Sequence, residues 1–157
     1  MSVKKFVCAD LHLGHAKNAL RRGFSSAEEH DLMLIERWNS VVRKSDIVYI
    51  LGDITMEKRA PYVILDQLNG IKYVAGGNHD RRQDLYELLN HVNGFAACYE
   101  VKGCILTHIP IHPDELNRYR KNIHGHLHSK SIDDSRYVCV SLEHTYMAPI
   151  ELDILLQ

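Results

Sequence analysis

The amino-acid sequence predicts an α/β fold, because short apolar runs alternate with segments of helical periodicity along its 157 residues. A second observation is that the run at residues 47–51 is continuously apolar, as in a strand buried on both faces. The third is that polar residues of metal-binding type directly follow several of these runs. The length suits a single domain spanning residues 1–157.

Strands are expected at the apolar runs that are rich in β-branched residues. In chain order, these runs cover residues 5–9, 47–51, 71–75, 96–101, 104–107 and 137–142. The segment 149–156 fits either a strand or a short helix, and its periodicity does not separate the two.

Helices are predicted between these runs from apolar residues spaced three and four apart. Residues 27–42 form the longest such segment, with Ser25 or Ser26 as the N-cap and Glu28 and Glu29 in the first turn. Three further helices are expected, one opened by Pro61 and closed by Gly70, one over 85–92 and one over 113–119.

Composition and charge exclude several classes of function. The formal net charge of −1 provides no general attraction for nucleic acid or membrane, so no stable nucleic-acid partner is expected. The apolar run at the start is too short for a signal peptide or a membrane span, which predicts a cytoplasmic protein.

The four cysteines form no CxxC pair and are predicted to be small core residues on strands: Cys8, Cys98, Cys104 and Cys139.

The 11 histidines are the unusual feature of the composition, and their positions suggest a metal site. Several lie, with carboxylates and an amide, directly after predicted strands: Asp10 and His12, Asp53, Asn78 and His79, and His108. Ligands of open α/β sheets bind just beyond the carboxyl ends of the strands. We therefore expect these side chains to meet at one edge of the fold.

The spacing of these residues also suggests metal binding. Asp10 and His12 are two apart, so in an extended chain they would point the same way, and His126 and His128 repeat this spacing. The donor set combines nitrogen and oxygen without sulfur. Such a set suits Mn²⁺, Fe, Zn²⁺, Co²⁺ or Ni²⁺ better than calcium or copper(I).

Five short blocks in this order resemble the calcineurin-like metallophosphoesterases. The family pattern is DxH, GD, GNH(D/E), a lone H and GHxH. The matching positions are Asp10-Leu11-His12, Gly52-Asp53, Gly77-Asn78-His79-Asp80, His108 and Gly125-His126-Leu127-His128. The DxHxGH opening from Asp10 to His15 is similar to the short stand-alone members of bacteria and phages.

The resemblance implies a four-layer α/β/β/α sandwich, here in a minimal version without a cap domain. It implies two divalent metal ions per chain, with Mn²⁺ expected and Fe, Zn²⁺, Ni²⁺ or Co²⁺ as alternatives. The ligands of the first ion would be Asp10, His12, Asp53 and His128. Those of the second would be Asp53, Asn78, His108 and His126, with Asp53 bridging.

The implied activity is hydrolysis of phosphate monoesters or diesters of small-molecule or nucleotide-like substrates. A hydroxide between the ions would attack, and His79 would act as general acid. Two divalent ions, two carboxylates and one hydroxide sum to about +1, so the site would attract phosphate in a slightly acidic chain. The alternatives are a non-catalytic binding scaffold and a metal-dependent nuclease, which would need a basic groove.

One departure concerns His79. The large phosphoprotein phosphatases carry GDxVDRG, whose second Asp orients the catalytic histidine, whereas residues 52–57 here read GDITME. The group that orients His79 is therefore left open, and protein-phosphatase activity is disfavoured.

Structural or substrate-binding roles are expected for the remaining polar residues near the blocks. Asp80 is expected to cap the following helix, and His15 and Asn18 to contact substrate or to cap a loop. The arginine pairs 21–22 and 81–82 either hold phosphate or form a solvated face. Surface positions are predicted for His30 and His91, and idle loop positions for His112 and His144, while Gly125 is expected to turn His124 away from the site.

Overall fold

The computed structural model describes residues 2–58 and 61–157. Its strands are β1 (Lys5–Cys8), β2 (Ile47–Leu51), β3 (Ile71–Ala75), β4 (Gly94–Ala96), β5 (Tyr99–Val101), β6 (Cys104–Thr107), β7 (Asn122–His124), β8 (Tyr137–Cys139) and β9 (Ile150–Glu151). Its α-helices are α1 (Ala16–Arg21), α2 (Ala27–Val41) and α3 (Leu85–Leu88). Short 3₁₀ helices cover Tyr62–Gln67, Arg82–Asp84, Pro113–Arg118 and Leu152–Leu156.

The strands form two sheets. The first has the order β4-β3-β2-β1-β9 and the second the order β5-β6-β7-β8. Strands β1 to β4 are parallel to one another, as are β6, β7 and β8, while β9 and β5 run antiparallel to their neighbours. The expected α/β fold of two sheets flanked by helices is confirmed.

Parallel pairing brings the strand ends that carry the motifs to one edge of each sheet. At this edge the two sheets are joined, because Ala9 beyond β1 forms an isolated parallel bridge with Ser141 beyond β8. The bridge includes a hydrogen bond from the Ala9 amide to the Val140 carbonyl at 3.0 Å. Residues that follow β1 and β8 are thereby held side by side.

Two apolar clusters fix the layers. One lies between the sheets, where Val7 and Leu51 of the first sheet pack with Leu106 and Ile123 of the second. The other covers the opposite face of the first sheet and contains the most buried residues of α2, Leu34 and Trp38. The first sheet is thus apolar on both faces, as the uninterrupted run at β2 predicts.

Helix α2 is the longest helix and matches its prediction closely. The Ser26 side chain caps it by accepting a hydrogen bond from the Glu29 amide, with Glu28 and Glu29 in the first turn. Its Trp38 ring is fully buried and donates from Nε1 to the Asn69 carbonyl at 2.8 Å. This contact ties α2 to the loop that leads into β3.

The predicted strand 96–101 is wrong as a single element. The chain leaves the first sheet after β4 and enters the second at β5, so this apolar run crosses between the sheets. Cys98 lies in the crossing and is exposed, which corrects its predicted place in the core, whereas Cys8 and Cys104 are buried and Cys139 is half-buried. All four cysteines are free.

The helices expected over 61–70, 85–92 and 113–119 are shorter than predicted and largely 3₁₀ in character. Segments of this length gain little from helix propagation, so local turns and tertiary packing decide their form. The tail contains both forms that its pattern allowed, β9 followed by the 3₁₀ helix Leu152–Leu156. Helix α1 was not predicted.

Within the described residues, no helix has the length and apolarity needed to cross a membrane.

Candidate metal centre

The seven predicted ligands meet at the joined edge of the two sheets. Two groups of potential ligand atoms are present, and within each group all the atoms lie within 4.8 Å of one another. One group comes from Asp10, His12 and His128, and the other from Asp10, Asp53 and His108. The remaining two residues flank the second group. Asn78 Oδ1 lies 2.9 Å from Nε2 of His108, and the ring of His126 lies 5.1 Å from that of His108.

Asp53 belongs to the second group and also approaches His12 of the first. Its Oδ2 is 3.9 Å from Nε2 of His12 and 3.3 Å from Nε2 of His108. Asp10 is the carboxylate shared by both groups in this structure, with its Oδ1 3.9 Å from the same His12 nitrogen. Each carboxylate therefore approaches histidines of both groups, while the sequence assigned that central position to Asp53 alone.

The backbone of the predicted ligands is not extended. The prediction that residues two apart point the same way along an extended chain is therefore wrong for this site. Positive φ angles occur at Asp10 (60°), His12 (49°), Asp53 (54°), His126 (71°) and His128 (52°). Residues with side chains rarely adopt this left-handed conformation, and such strain clusters at functional sites. Tight turns directly after the strands, rather than a period of two, direct these side chains inwards.

Glycines in the motifs allow the loops to approach each other closely. A Cβ atom at Gly125 would lie 2.5 Å from the Ala9 Cβ and 2.7 Å from Oδ2 of Asp10. A Cβ atom at Gly77 would collide with the backbone and carboxylate of Asp53. Gly77 and Gly125, which begin two of the ligand blocks, are therefore needed for close backbone contact.

Asp80 connects the loops that follow β2 and β3, and does not cap the next helix as predicted. Its carboxylate accepts hydrogen bonds from the amides of Gly77, Asp53 and Ile54 at 2.8–2.9 Å. The 3₁₀ helix that follows has Arg81 at its N-cap and no side-chain cap. Burial raises the pKa of Asp80, against the effect of these amides.

Burial and unpaired polar atoms make the centre suitable for cations. Asp10 and His12 are 0% and 2% exposed, and Asp10 Oδ1 and both ring nitrogens of His12 have no hydrogen-bond partner among the described residues. Burial raises the pKa of Asp10 and lowers that of His12 to about 3, so this imidazole is neutral and has a lone pair to donate. Buried polar atoms without partners are costly, and a bound metal ion would satisfy them.

His108 is held by a hydrogen bond that exposes one ring nitrogen to the site. Its Nδ1 donates to the Leu51 carbonyl at 2.8 Å, which leaves Nε2 to face Asn78 and Asp53. Burial lowers the pKa of His108, but the hydrogen bond and charge of Asp53 outweigh it and raise that pKa overall. Burial likewise opposes ionisation of Asp53, whose pKa is nevertheless lowered by His108.

His128 is held by a residue that the sequence analysis missed. Its Nδ1 lies 3.0 Å from Oε1 of Glu143, and the same oxygen accepts a hydrogen bond from Nε of Arg22 at 3.0 Å. Glu143 follows the predicted strand 137–142, so the reasoning from strand ends applied to it as well. Despite its burial, the hydrogen bonds from His128 and Arg22 lower the pKa of Glu143 to about 2.

Arg22 supports the site from inside the fold and is not part of a solvated face. Its side chain is 4% exposed, and it donates to the backbone carbonyls of Asp10 at 2.7 Å and Leu11 at 3.2 Å. It also contacts Nε2 of His30 at 2.9 Å, while Nδ1 of that ring lies 2.8 Å from Oδ1 of Asp31. His30 is 1% exposed, so its predicted surface position is wrong.

His79 lies beside the centre with an accessible side chain. Its side chain is 40% exposed, its Nε2 is 4.0 Å from Oδ2 of Asp53, and its backbone amide donates to Oδ1 of Asp53 at 2.9 Å. Within the described chain, its ring makes no hydrogen bond, and its nearest carboxylate contact is with Asp53. Asp53 thus holds the backbone of His79, while the imidazole is accessible from solvent.

The other histidines have local roles. Nδ1 of His15 lies 2.9 Å from Glu57, and that of His91 lies 2.9 Å from Asp66. His124 is buried in β7 and belongs to neither group of ligand atoms. His112 and His144 are exposed outside the strands, as predicted.

Two cavities open beside the ligands. One, of about 430 Å³, is lined by His126, His128 and residues of the loop after them. The other, of about 300 Å³, is lined by His12, His79 and His128 among others. Clefts of this size accommodate small organic ligands.

The geometry defines a class of protein with a buried centre at the strand ends of two joined sheets. This centre contains carboxylates, histidines and an amide, which are the donors of a divalent metal site. The family is shown by comparison: the calcineurin-like phosphoesterase model matches residues 4–153, and the chain belongs to that family. Membership implies a phosphate-ester substrate and divalent metal ions, and the Asp and His groups at this centre can hold metal.

Similar proteins are also short. An uncharacterized protein of Methanocaldococcus jannaschii, MJ1445, is 32% identical over 170 aligned positions, which cover 100% of this chain and 92% of that protein. The gene 66 protein of Mycobacterium phage L5 is 30% identical and matches 79% of this chain and 77% of its own length. The expected short stand-alone type is confirmed by these matches.

A solved structure supports the fold. The protein of unknown function AQ665 from Aquifex aeolicus superposes with a TM-score of 0.78 over 98% of both chains, at 21% sequence identity. At that identity the likeness concerns the fold alone.

Proposed function

We propose that this protein is a phosphohydrolase with two divalent metal ions that cleaves phosphate monoesters or diesters of small-molecule or nucleotide-like substrates. The observation that carries this proposal is a set of buried atoms of Asp10 and His12, at the meeting point of the family motifs, that have no hydrogen-bond partner among residues 2–58 and 61–157. A buried carboxylate oxygen and an unprotonated imidazole are costly unless a cation binds them.

The residues would divide between two sites. Asp10, His12, Asp53 and His128 would hold one ion. The other ion would be held by Asp53, Asn78, His108 and His126. Asp10 also approaches this second set, and its negative charge would add to that of Asp53. When bound, such ions supply an activated water and stabilise the charge of the phosphoryl oxygens.

The chain's own groups orient these ligands. Glu143 and the Leu51 carbonyl accept from Nδ1 of His128 and His108, so in both rings Nε2 is the nitrogen offered to the centre. Asp80 holds the loops after β2 and β3 together, which keeps Asp53 near Asn78. These contacts set the ligand positions before any ion binds, which lowers the cost of assembling the site.

His79 would donate a proton to the departing ester oxygen. The side chain faces the cavity that His12 also lines, and its exposure lets it meet leaving groups of different sizes. General acid catalysis by such a group is typically worth about 10²–10⁴-fold in rate. Because no carboxylate other than Asp53 lies near the ring within the described residues, the proton transfer would rely on substrate contact to align it.

The test is hydrolysis of a panel of phosphate esters by the purified protein loaded with Mn²⁺, Ni²⁺, Co²⁺ or Zn²⁺. The panel would contain p-nitrophenyl phosphate, bis-p-nitrophenyl phosphate, nucleotides, cyclic nucleotides and a single-stranded oligonucleotide. We expect turnover of at least one small ester. Two bound ions with no turnover of any ester would instead support a binding scaffold, and turnover of the oligonucleotide alone would support a nuclease.

A further inference from the structure

Helix α1 forms the wall between the two cavities beside the metal centre. Asn18 and Arg21 line both cavities, together with His128. They are three residues apart on the helix and therefore lie on the same face. A ligand that extends from one cavity into the other would pass over this face.

Asn18 has an unsatisfied amide at this position. The residue is 6% exposed, and its Nδ2 is buried without a hydrogen-bond partner in the described part of the chain. A buried amide group without a partner is costly to the fold. Because Asn18 lines both cavities, a turn of its side chain would bring this amide to an oxygen of a bound ligand.

Arg21 adds an unpaired positive charge to the same face. Unlike its neighbour Arg22, it is exposed and forms no ion pair with any described residue. Lys130 lines the larger cavity and Lys17 the smaller one, and both are exposed.

The carboxylates that face these cations are already engaged. Glu143, in the wall of the larger cavity, accepts from Arg22 and His128, and Glu57, beside the smaller one, pairs with His15. The rim therefore keeps a local excess of positive charge in a chain whose net charge is −1. Such a cluster attracts an anion.

We infer that Asn18 and Arg21 form a subsite for a second phosphate group of the substrate, which makes bisphosphorylated compounds the preferred class. This inference rests on the proposed phosphohydrolase function. The metal ions would hold one phosphate, and the positive charges of Arg21 and the flanking lysines would match a second. The larger cavity, at about 430 Å³, has room for the part of the substrate that joins the two phosphates.

The experiment compares adenosine 5′-monophosphate with adenosine 3′,5′-bisphosphate, which differ by one phosphate. For each ester, kcat/KM for phosphate release would be measured with the Mn²⁺-loaded full chain, the Arg21→Gln variant and the Lys44→Gln variant. Lys44 is an exposed residue that precedes β2, at the opposite end of the strand from the centre, so its variant matches the charge change. Binding of both nucleotides would be measured by calorimetry on the same samples, with and without Mn²⁺.

We expect the wild type to prefer the bisphosphate, and Arg21→Gln to reduce this preference by about 10-fold or more, because charge-assisted hydrogen bonds to phosphate are strong. Raising the salt concentration should weaken the preference in the wild type and have little effect in the variant. Lys44→Gln should retain the wild-type preference. Asn18→Ala should reduce the preference in the same direction, with circular dichroism confirming that it folds.

Two results would overturn the subsite. One is an equal loss for both nucleotides in Arg21→Gln, which would place Arg21 on the reacting phosphate. The other is an unchanged preference in that variant. If neither nucleotide is hydrolysed, the calorimetric preference for the bisphosphate and its loss in Arg21→Gln still decide the question, while the absence of turnover counts against the proposed function.

Discussion

Nδ1 of His128 donates a hydrogen bond to Glu143 Oε1 across 3.0 Å, and this contact fixes which nitrogen of the ring faces the metal centre. The same carboxylate is held by the buried Arg22, which also donates to the Asp10 carbonyl. A carboxylate that accepts from a histidine ligand raises the basicity of that ligand and sets its orientation. Arg22 and Glu143 therefore act on the centre through His128 and the backbone of Asp10.

Glu143→Ala should weaken binding of one metal ion by about 10–100-fold, the usual effect of removing such a supporting carboxylate. The other ion, held by Asn78, His108 and His126, should bind with nearly unchanged affinity. Stepwise Mn²⁺ titration by calorimetry would show the difference. Glu143→Gln keeps an oxygen that can accept from His128 and should lose less, so equal losses in the two variants would count against an orienting role.

Asp53→Asn should lose activity together with metal, because the carboxylate approaches histidines of both groups and its charge cannot be replaced by a neutral amide. The bound metal after gel filtration and the rate of ester hydrolysis would both be measured. Circular dichroism would check the fold, since Asp53 also accepts from the His79 amide. A variant that keeps two tightly bound ions and full activity would contradict the bridging role.

His79→Asn should retain both ions and lose turnover mainly for esters with poor leaving groups. A general acid matters most where the departing oxygen is most basic, and p-nitrophenolate needs little help. Comparing kcat for p-nitrophenyl phosphate with that for an alkyl phosphate measures this. Equal losses for both substrates would argue against proton donation by His79.

The candidate ligands could be proposed from sequence because residue type and order are enough to define the blocks. Their backbone conformation could not: Asp10 and His128 lie in left-handed turns, and nothing in the alternate spacing separates such turns from a strand. Glu143 followed a predicted strand and could have been found by the same reasoning. Arg22 could not, since burial of an arginine beneath a site depends on contacts with distant residues.

The same limit explains the errors in the fold. The apolar run at 96–101 indicates a strand, but only tertiary structure shows that it crosses from one sheet to the other. Helix α1 has only six residues, too few for a clear helical period, and so the wall that carries Asn18 and Arg21 was missed.

The His91–Asp66 contact predicts a modest pH dependence of stability. The hydrogen bond from His91 to Asp66, helped by Glu87, raises the pKa of His91 above its ordinary value. The folded protein therefore binds this proton more tightly than the unfolded chain, so the stabilisation is present below the ordinary pKa and is lost as pH rises through the folded value. Asp66 is half-exposed, which keeps the effect within the range of surface ion pairs, about 0–1 kcal/mol.

His91→Gln should therefore lower the melting temperature at about pH 5.5 more than at about pH 8.5, because the stabilisation from the raised pKa of His91 is lost as the pH rises. Thermal denaturation of wild type and variant at both pH values would measure this. A difference that is the same at both pH values would assign the effect to packing rather than to charge.

The most direct test of the account is a crystal structure of the Mn²⁺-loaded protein with anomalous scattering measured for manganese. We expect two peaks per chain, roughly 3.5–4 Å apart, the usual separation in two-metal sites, with Asp53 contacting both. A well-ordered crystal with no peak among Asp10, His12, Asp53, His108 and His128, or with manganese bound only elsewhere, would contradict it.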